Sequence, residues 1–255
     1  MANVVAEGLT KQYGPKTVVD SIDLNVKQGI IYGFLGQNGA GKSTTIRMLC
    51  GMLPPTSGHV EIAGIDVRRD PIEVKRRVGY MPEEVQLYER LTAHETLNFT
   101  GRMYGLSRAE TERRSRDLLD LLRIEEDDRN RLLVDFSMGM RKKVSLACAL
   151  IHSPQVLFLD EPFNGIDAVS CRIIRGALLQ AASRGMTIFF SSHVLEVVEK
   201  LCDELAILHA GRVAAAGTLD DVRRRRGFDP GTDLEDVFVE IVGGDSAPEG
   251  LAWMR

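Results

Sequence analysis

Three short runs in this chain carry the residue types that handle phosphate chemistry. Gly36-Gln37-Asn38-Gly39-Ala40-Gly41-Lys42-Ser43-Thr44 fits the pattern GxxxxGK[ST]. Its glycines let the backbone wrap closely and point successive N–H groups at one anion. A helix expected from Ser43 to about Cys50 adds its positive N-terminal end. Lys42 is placed to reach the β- and γ-phosphates of a nucleotide, and the Ser43 hydroxyl to hold Mg²⁺. Gly36, Asn38, Gly39, Ala40, Gly41, Lys42, Ser43 and Thr44 therefore form the candidate phosphate cradle. Downstream, Gln155-Val156-Leu157-Phe158-Leu159 is an apolar run ending in Asp160-Glu161. Asp160 is a second candidate Mg²⁺ holder, and Glu161 is a candidate general base for an attacking water. In Ser191-Ser192-His193, His193 is a candidate sensor of the γ-phosphate. Alone, each of the last two runs is a weak signal, and Ser-His alone reads as a helix cap. Together with the cradle they become specific.

These runs need elements that bring them together. Ile30 to Leu35, Gln155 to Leu159 and Thr187 to Phe190 are short apolar runs of the kind that fill a sheet buried on both faces. Ligands of open α/β sheets bind at the carboxyl ends of such strands. Helices are expected between and after these strands, which predicts a mostly parallel sheet. Residues 4–32 read as short strands with turns. Ser21 to Val26 alternates like a half-buried strand, and Lys27-Gln28-Gly29 is a turn. Val60 to Gly64 reads as another strand. Residues 84–135 are more charged, with apolar residues at helical spacing in Leu118-Leu119 and Leu121-Leu122, and read as a helical insertion. Lys142 to His152 reads as a further helix.

Composition sets outer bounds. The 255 residues carry a formal net charge of −4 with 44% hydrophobic residues, as an ordinary folded chain does. That charge argues against sequence-independent nucleic-acid binding, which needs basic surface. The basic runs Arg223 to Arg226 and Lys75-Arg76-Arg77 read as solvated faces. Cys50, Cys148, Cys171 and Cys202 form no CxxC pair and read as reduced thiols packed like small hydrophobes, which fits a reducing cytosol. No stretch reaches the roughly 18 apolar residues of a membrane span. The start of the chain does not read as a secretory signal, and the tail from Gly243 onward reads as loose.

Asp135-Phe136-Ser137-Met138-Gly139-Met140-Arg141 opens another helix, a second anion-binding end in the same chain. A single nucleotide seldom needs two. The economical explanation is a pair of chains arranged head to tail, each closing the other's nucleotide with Ser137 and Gly139. With the order cradle, helical insert, this loop, Asp-Glu and histidine, the sequence resembles the ATP-binding subunit of an ABC transporter over about residues 4–242. The family's signature loop, usually LSGGQ, stands here as Phe136 to Met140.

The resemblance implies an α/β fold: a P-loop NTPase core with a mostly parallel sheet, an N-terminal antiparallel β subdomain and an inserted helical subdomain. The expected units are residues 1–84 and 141–218 for the ATP-binding core, 85–140 for the helical subdomain, and 219–255 for a C-terminal extension. It implies that Tyr13 stacks on adenine, that Asp167 couples the two subunits' sites, that Glu161 is the catalytic base and that His193 senses the γ-phosphate. It also implies ATP and Mg²⁺ as ligands, a second ATP-binding subunit, a membrane permease on a separate chain, and a cytoplasmic chain peripheral to the membrane. Leu234 to Phe238 is similar to a C-terminal element of many exporter-type members, the branch linked to drug, lipid or small-solute efflux. There are departures. Glu83 stands where the family usually has a glutamine that reaches Mg²⁺, and Met138 and Met140 replace a glycine and a glutamine. Two rival readings are a mechanical ATPase working on nucleic acid or ribosomes, and a P-loop kinase, which would need an acceptor pocket and a lid.

Overall fold

Buried strands organise this chain, and their side chains alternate between two cores. In a computed structural model that describes residues 2–243, the elements follow one another as β1 (Ala2–Tyr13), β2 (Lys16–Lys27), β3 (Ile31–Gly36), α1 (Lys42–Leu49), β4 (Ser57–Ile62), β5 (Ile65–Asp66), α2 (Pro71–Arg77) and β6 (Val78–Met81). Then come α3 (Ala93–Met103), α4 (Arg108–Leu121), α5 (Glu126–Arg129), a 3₁₀ turn at Leu133–Asp135 and α6 (Met138–Leu150). The chain continues through β7 (Val156–Leu159), α7 (Ala168–Ser183), β8 (Thr187–Ser192), α8 (Leu195–Leu201), β9 (Glu204–His209), β10 (Arg212–Gly217), α9 (Leu219–Arg226) and α10 (Leu234–Val242).

The central sheet has the order β10-β9-β3-β8-β7-β6, parallel except for the edge strand β10. Along β3, β7 and β8 successive residues point to opposite faces. Tyr32, Phe34, Phe158 and Phe189 join the core shared with α1 and the small sheet β2-β1-β4-β5. Leu35, Leu157, Leu159 and Phe190 join the core shared with α6, α7 and the helical stretch. Phe189 is fully buried and lies 5.2–5.5 Å from the rings of Tyr32, Phe34 and Phe158. Burial of one such side chain contributes roughly 1.5–3 kcal/mol. The small antiparallel sheet is fastened to the large one by polar contacts. Asn3 Nδ2 donates to Thr187 Oγ1 (2.8 Å), and Arg212 donates twice to Asp20 Oδ2 (2.8 and 2.6 Å).

The expected fold class holds, with three corrections to its elements. The strands in residues 4–32 are long, not short. β1 and β2 each run 12 residues because bulges with left-handed residues at Gly8 and Ser21 interrupt the alternation without ending the pairing. The chain after β8 is not helical throughout: β9 and β10 form a hairpin across Ala210-Gly211, both with positive φ, as a tight two-residue turn requires. The helix expected to open at Ser137 and the one read from Lys142 are a single helix that begins at Met138, where the Ser137 hydroxyl accepts from Met140 N (3.3 Å). α6 thus runs unbroken from the signature loop into the core. Of the tail expected to be loose, only Gly243 lies within the described residues.

The arginine run is tied into its surroundings. Arg223 pairs with Glu199 and Asp220, Arg224 with Asp221, and Arg225 and Arg226 donate to the carbonyls of Ala216 and Ala214. All four cysteines are free. Cys50 is buried and the other three are half-buried, and burial pushes the Cys148 thiol up to about 11.

Two glycines make opposite predictions. A methyl group at Gly79 in β6 would overlap the backbone carbonyl of Ala149 in α6. Gly79→Ala should therefore destabilise the chain by about 1–3 kcal/mol. Gly176, in the middle of α7, has open space around it. Gly176→Ala should stabilise it by about 0.5–1 kcal/mol. Urea unfolding of the two variants checks both signs.

Candidate functional site

The carboxyl ends of β3, β7 and β8 lie side by side, with Leu159 paired to Phe190 and Leu35 to Ser192. That register brings the cradle, Asp160-Glu161 and His193 to one edge of the sheet. At the cradle, Gly36 is forced by close packing, since a Cβ would lie 2.8 Å from Leu208 O. Gly41 has φ +106°, and its Cβ would lie 2.8 Å from Val18 O. Gly39 has φ +82° and faces open space. The loop therefore folds over on itself and leads into α1, which has no acidic residue in its first turn to oppose an anion. A cavity of about 290 Å³ opens in front of it, lined by Asn38, Gly39, Gly41, Lys42, Ser43 and Thr44, together with Val18, Glu83 and Glu161.

Lys42 is buried, and its ammonium donates to Gly36 O (2.7 Å) and Gln37 O (3.3 Å). The same nitrogen lies 3.1 Å from Glu161 Oε1, an ion pair whose geometry falls short of a hydrogen bond. The other carboxylate oxygen, Glu161 Oε2, lies 2.9 Å from His193 Nδ1, a nitrogen placed to donate to it. One buried carboxylate thus sits between the cradle's lysine and the histidine.

The backbone of Glu161 is itself unusual. Its φ is +48°, in the left-handed region that costs a residue with a Cβ roughly 1–2 kcal/mol. Both of its peptide groups are held by side chains. Glu161 N donates to Ser191 Oγ (2.9 Å), and Lys142 Nζ donates to Glu161 O (2.7 Å). Ser191 Oγ in turn donates to Asp160 Oδ1 (2.7 Å). Ser191 therefore bridges both acidic residues. The run Ser191-Ser192-His193 pointed to this place, but only His193 was read as functional. The role of Ser191 depends on strand register, which the motif alone does not reveal.

Asp160 is buried, and its Oδ2 has no hydrogen-bond partner, nor has Glu161 Oε1. The buried Asp160 Oδ2, with neither a hydrogen bond nor an ion pair, suits a hard cation such as Mg²⁺. No group of three or more His, Cys, Asp or Glu that could by itself hold a metal ion is present among the described residues. Glu83 lines the same cavity on an exposed loop, with Asn164 Nδ2 at the long distance of 3.5 Å from its Oε1.

The remaining candidates lie elsewhere. Ser137 and Gly139 are absent from the cavity lining. They stand at the start of α6, where Gly139 packs beside Asp167, which caps α7 by accepting from Val169 N and Ser170 N (both 2.9 Å) and from Ser170 Oγ (2.7 Å). A Cβ on Gly139 would lie 2.5 Å from Ser170 Oγ and 3.1 Å from Asp167 Oδ2, so only glycine lets the two elements touch. Tyr13, half exposed at the end of β1, also does not line the cavity, and Lys11 Nζ lies 5.1 Å from its ring centroid.

Comparison with known proteins gives a consistent answer. The sequence model described as "ABC transporter" matches residues 19–164. The linearmycin resistance ATP-binding protein LnrL of Bacillus subtilis (strain 168) is 40% identical over 88% of this chain and 72% of its own length. The ABC transporter ATP-binding protein NatA of the same organism is 41% identical over 80% of this chain and 83% of its own. A solved structure of an ATP-binding subunit of an ABC transporter superposes with a TM-score of 0.86 at 36% identity, covering 93% of this chain and 98% of that one.

Ser191→Ala would orphan the Glu161 N–H and remove one partner of Asp160. The expected loss is about 1–3 kcal/mol, read as a lower urea midpoint at unchanged m-value. Ser191→Thr, which keeps the hydroxyl, should lose less.

Proposed function

This chain belongs to the ABC transporter family as an ATP-binding, ATP-hydrolysing subunit that takes ATP with Mg²⁺. From that premise we propose that two such subunits close head to tail around two ATP molecules and drive a permease carried on a separate chain. The observation that carries the proposal is that Ser137 and Gly139 open a second helix, α6, and do not line the cavity that holds Lys42 and Glu161. Both are anion-binding ends, and a second chain in inverted orientation would set one against the other's nucleotide.

Within one cavity, the chemistry follows from the contacts. Lys42 is poised against Glu161 Oε1 at 3.1 Å. Arriving phosphate oxygens compete for that ammonium and free Oε1 to accept a proton. Glu161 then takes a proton from water as the water oxygen bonds to the γ-phosphorus and the bond to the bridging oxygen of ADP breaks. His193 holds Glu161 Oε2 and so fixes the aim of the carboxylate. The backbone N–H groups from Asn38 to Thr44 and the Lys42 ammonium bear the charge of the transferring group. Ser43 and Asp160, with Glu83 facing the same cavity, are the residues that would hold Mg²⁺, and bound Mg²⁺ neutralises charge on the phosphate oxygens. Tyr13 is assigned to the adenine ring, and Asp167 to coupling the two sites.

Several features favour the transport half of the proposal. No described helix is long and apolar enough to cross a membrane. On family membership we assign the spans to the partner and this chain to the cytoplasmic face. A cleft of about 320 Å³ lies between the core and the helical stretch, and it is lined by exposed Tyr88, Phe99, Met52 and Tyr104. It sits beside the loop that carries Glu83 and suits an apolar segment of a membrane protein. We assign residues 1–84 and 141–218 to the nucleotide core, 85–140 to the unit that meets the permease, and 219–255 to a C-terminal extension. The names of LnrL and of a daunorubicin/doxorubicin resistance protein from Streptomyces peucetius, 37% identical, refer to drug resistance. The substrate proposed here is accordingly a drug, lipid or small solute moved outward.

Glu161→Gln should bind ATP, lose nearly all turnover and elute as an ATP-dependent dimer in size-exclusion chromatography. Turnover at the original rate would remove Glu161 from its role. When the same variant is used with ATP to retrieve partners from membranes of the native host, a multi-span protein in near-stoichiometric amount is expected. Recovery of ribosomes or nucleic acid instead would leave the ATPase in place and overturn the transport proposal.

A further inference from the structure

Two consecutive residues of α6, Lys142 and Lys143, are buried, at 2% and 6% exposure. Burying an ammonium without a paired carboxylate is expensive. Yet both of these ammonium groups donate to backbone carbonyls. Lys143 Nζ donates to Arg123 O (3.2 Å), just beyond the end of α4. Lys142 Nζ donates to Glu161 O and to Asn164 O, both at 2.7 Å. Burial pulls the Lys142 pKa down, and the charges of Glu161, Glu83 and Asp160 oppose that shift.

Those two carbonyls are the ends of one turn, since Asn164 N also donates to Glu161 O (3.2 Å). That turn begins with the left-handed Glu161. Its geometry is thus held from one side by Ser191 of β8 and from the other by Lys142 of α6. The chemistry proposed above makes no use of Lys142.

We propose that Lys142 is a positioning residue for ATP hydrolysis. By clamping the carbonyls of Glu161 and Asn164 it fixes where the Glu161 carboxylate points. It also makes the start of α6, with Ser137 and Gly139, move as one piece with that turn. An anion drawn to the end of α6 would therefore act on Glu161 of the same chain, which serves the other nucleotide. The proposal rests on Glu161 being the base.

The test compares Lys142→Met with Lys142→Arg in the full chain. It measures phosphate release, affinity for a fluorescent ATP analogue and the thermal unfolding midpoint. A misaimed base costs rate and not nucleotide affinity. Lys142→Met should lower kcat at least about tenfold while ATP affinity stays within about twofold, measured well below its unfolding midpoint. Lys142→Arg, which keeps the charge and the donors, should recover a large part of kcat. If Lys142→Met does not fold, Lys142→Gln replaces it with the same expected readings. A Lys142→Met chain with near wild-type kcat overturns the proposal. So does one that loses kcat and ATP affinity together without rescue by arginine, because that pattern marks general loosening. Glu161→Gln assayed alongside separates the two claims. If it is inactive while Lys142→Met is fully active, only the role of Lys142 falls. If it is active, the base assignment falls.

Discussion

The buried contact between Lys42 and Glu161 is the interaction on which the rest of the site depends. The two residues lie far apart in sequence and meet only because β3, β8 and β7 are adjacent in the sheet. Two charges in an apolar interior need each other, and each needs further polar partners to offset lost hydration. Lys42 finds them in the cradle's carbonyls, and Glu161 finds one in His193. The arrangement is complete enough to be buried and still leaves one oxygen of each acidic residue without a hydrogen bond. The unmet capacity of Asp160 Oδ2 is of the kind that a cation satisfies. The site therefore stores its demand for ligand in the folded chain.

The aromatic interior makes this contact possible. Phe34, Phe158, Phe189 and Phe190 fill the sheet's two faces and leave the strands little freedom to slide. A shift of one residue in register would turn Ser191 away from Asp160 and Glu161 and exchange the two cores.

How much of this was legible in the sequence depended on how local each signal is. The cradle was readable because its glycines, lysine and hydroxyls are contiguous. Asp160 and Glu161 were readable because an apolar strand runs straight into them. The length of β1 and β2 was hidden by Gly8 and Ser21, whose left-handed backbone breaks the alternation while the pairing continues. The hairpin of β9 and β10 has a weak local signal, Gly211 between two apolar runs, since Ala210 is not a residue that favours positive φ. The contacts of Ser191 and Lys142 were not legible at all. Each joins residues separated by a helix or more, and a hydroxyl or an amine has many ways to satisfy itself that sequence does not distinguish. Tyr13 shows the reverse case: its role was inferred from position in a family pattern, while the cavity lining does not include it.

Glu161 occupies a backbone conformation that suits glycine best and asparagine or aspartate next, and glutamate is not among the residues that adopt it readily. Local backbone preference and the proposed role as base therefore favour different residues at this one position. Replacing Glu161 by glycine would relieve that backbone strain but strand the buried Lys42 ammonium without its carboxylate, so the local gain is set against a larger loss in the interior. Backbone ease and charge balance thus pull in opposite directions at position 161, and no single substitution there satisfies both.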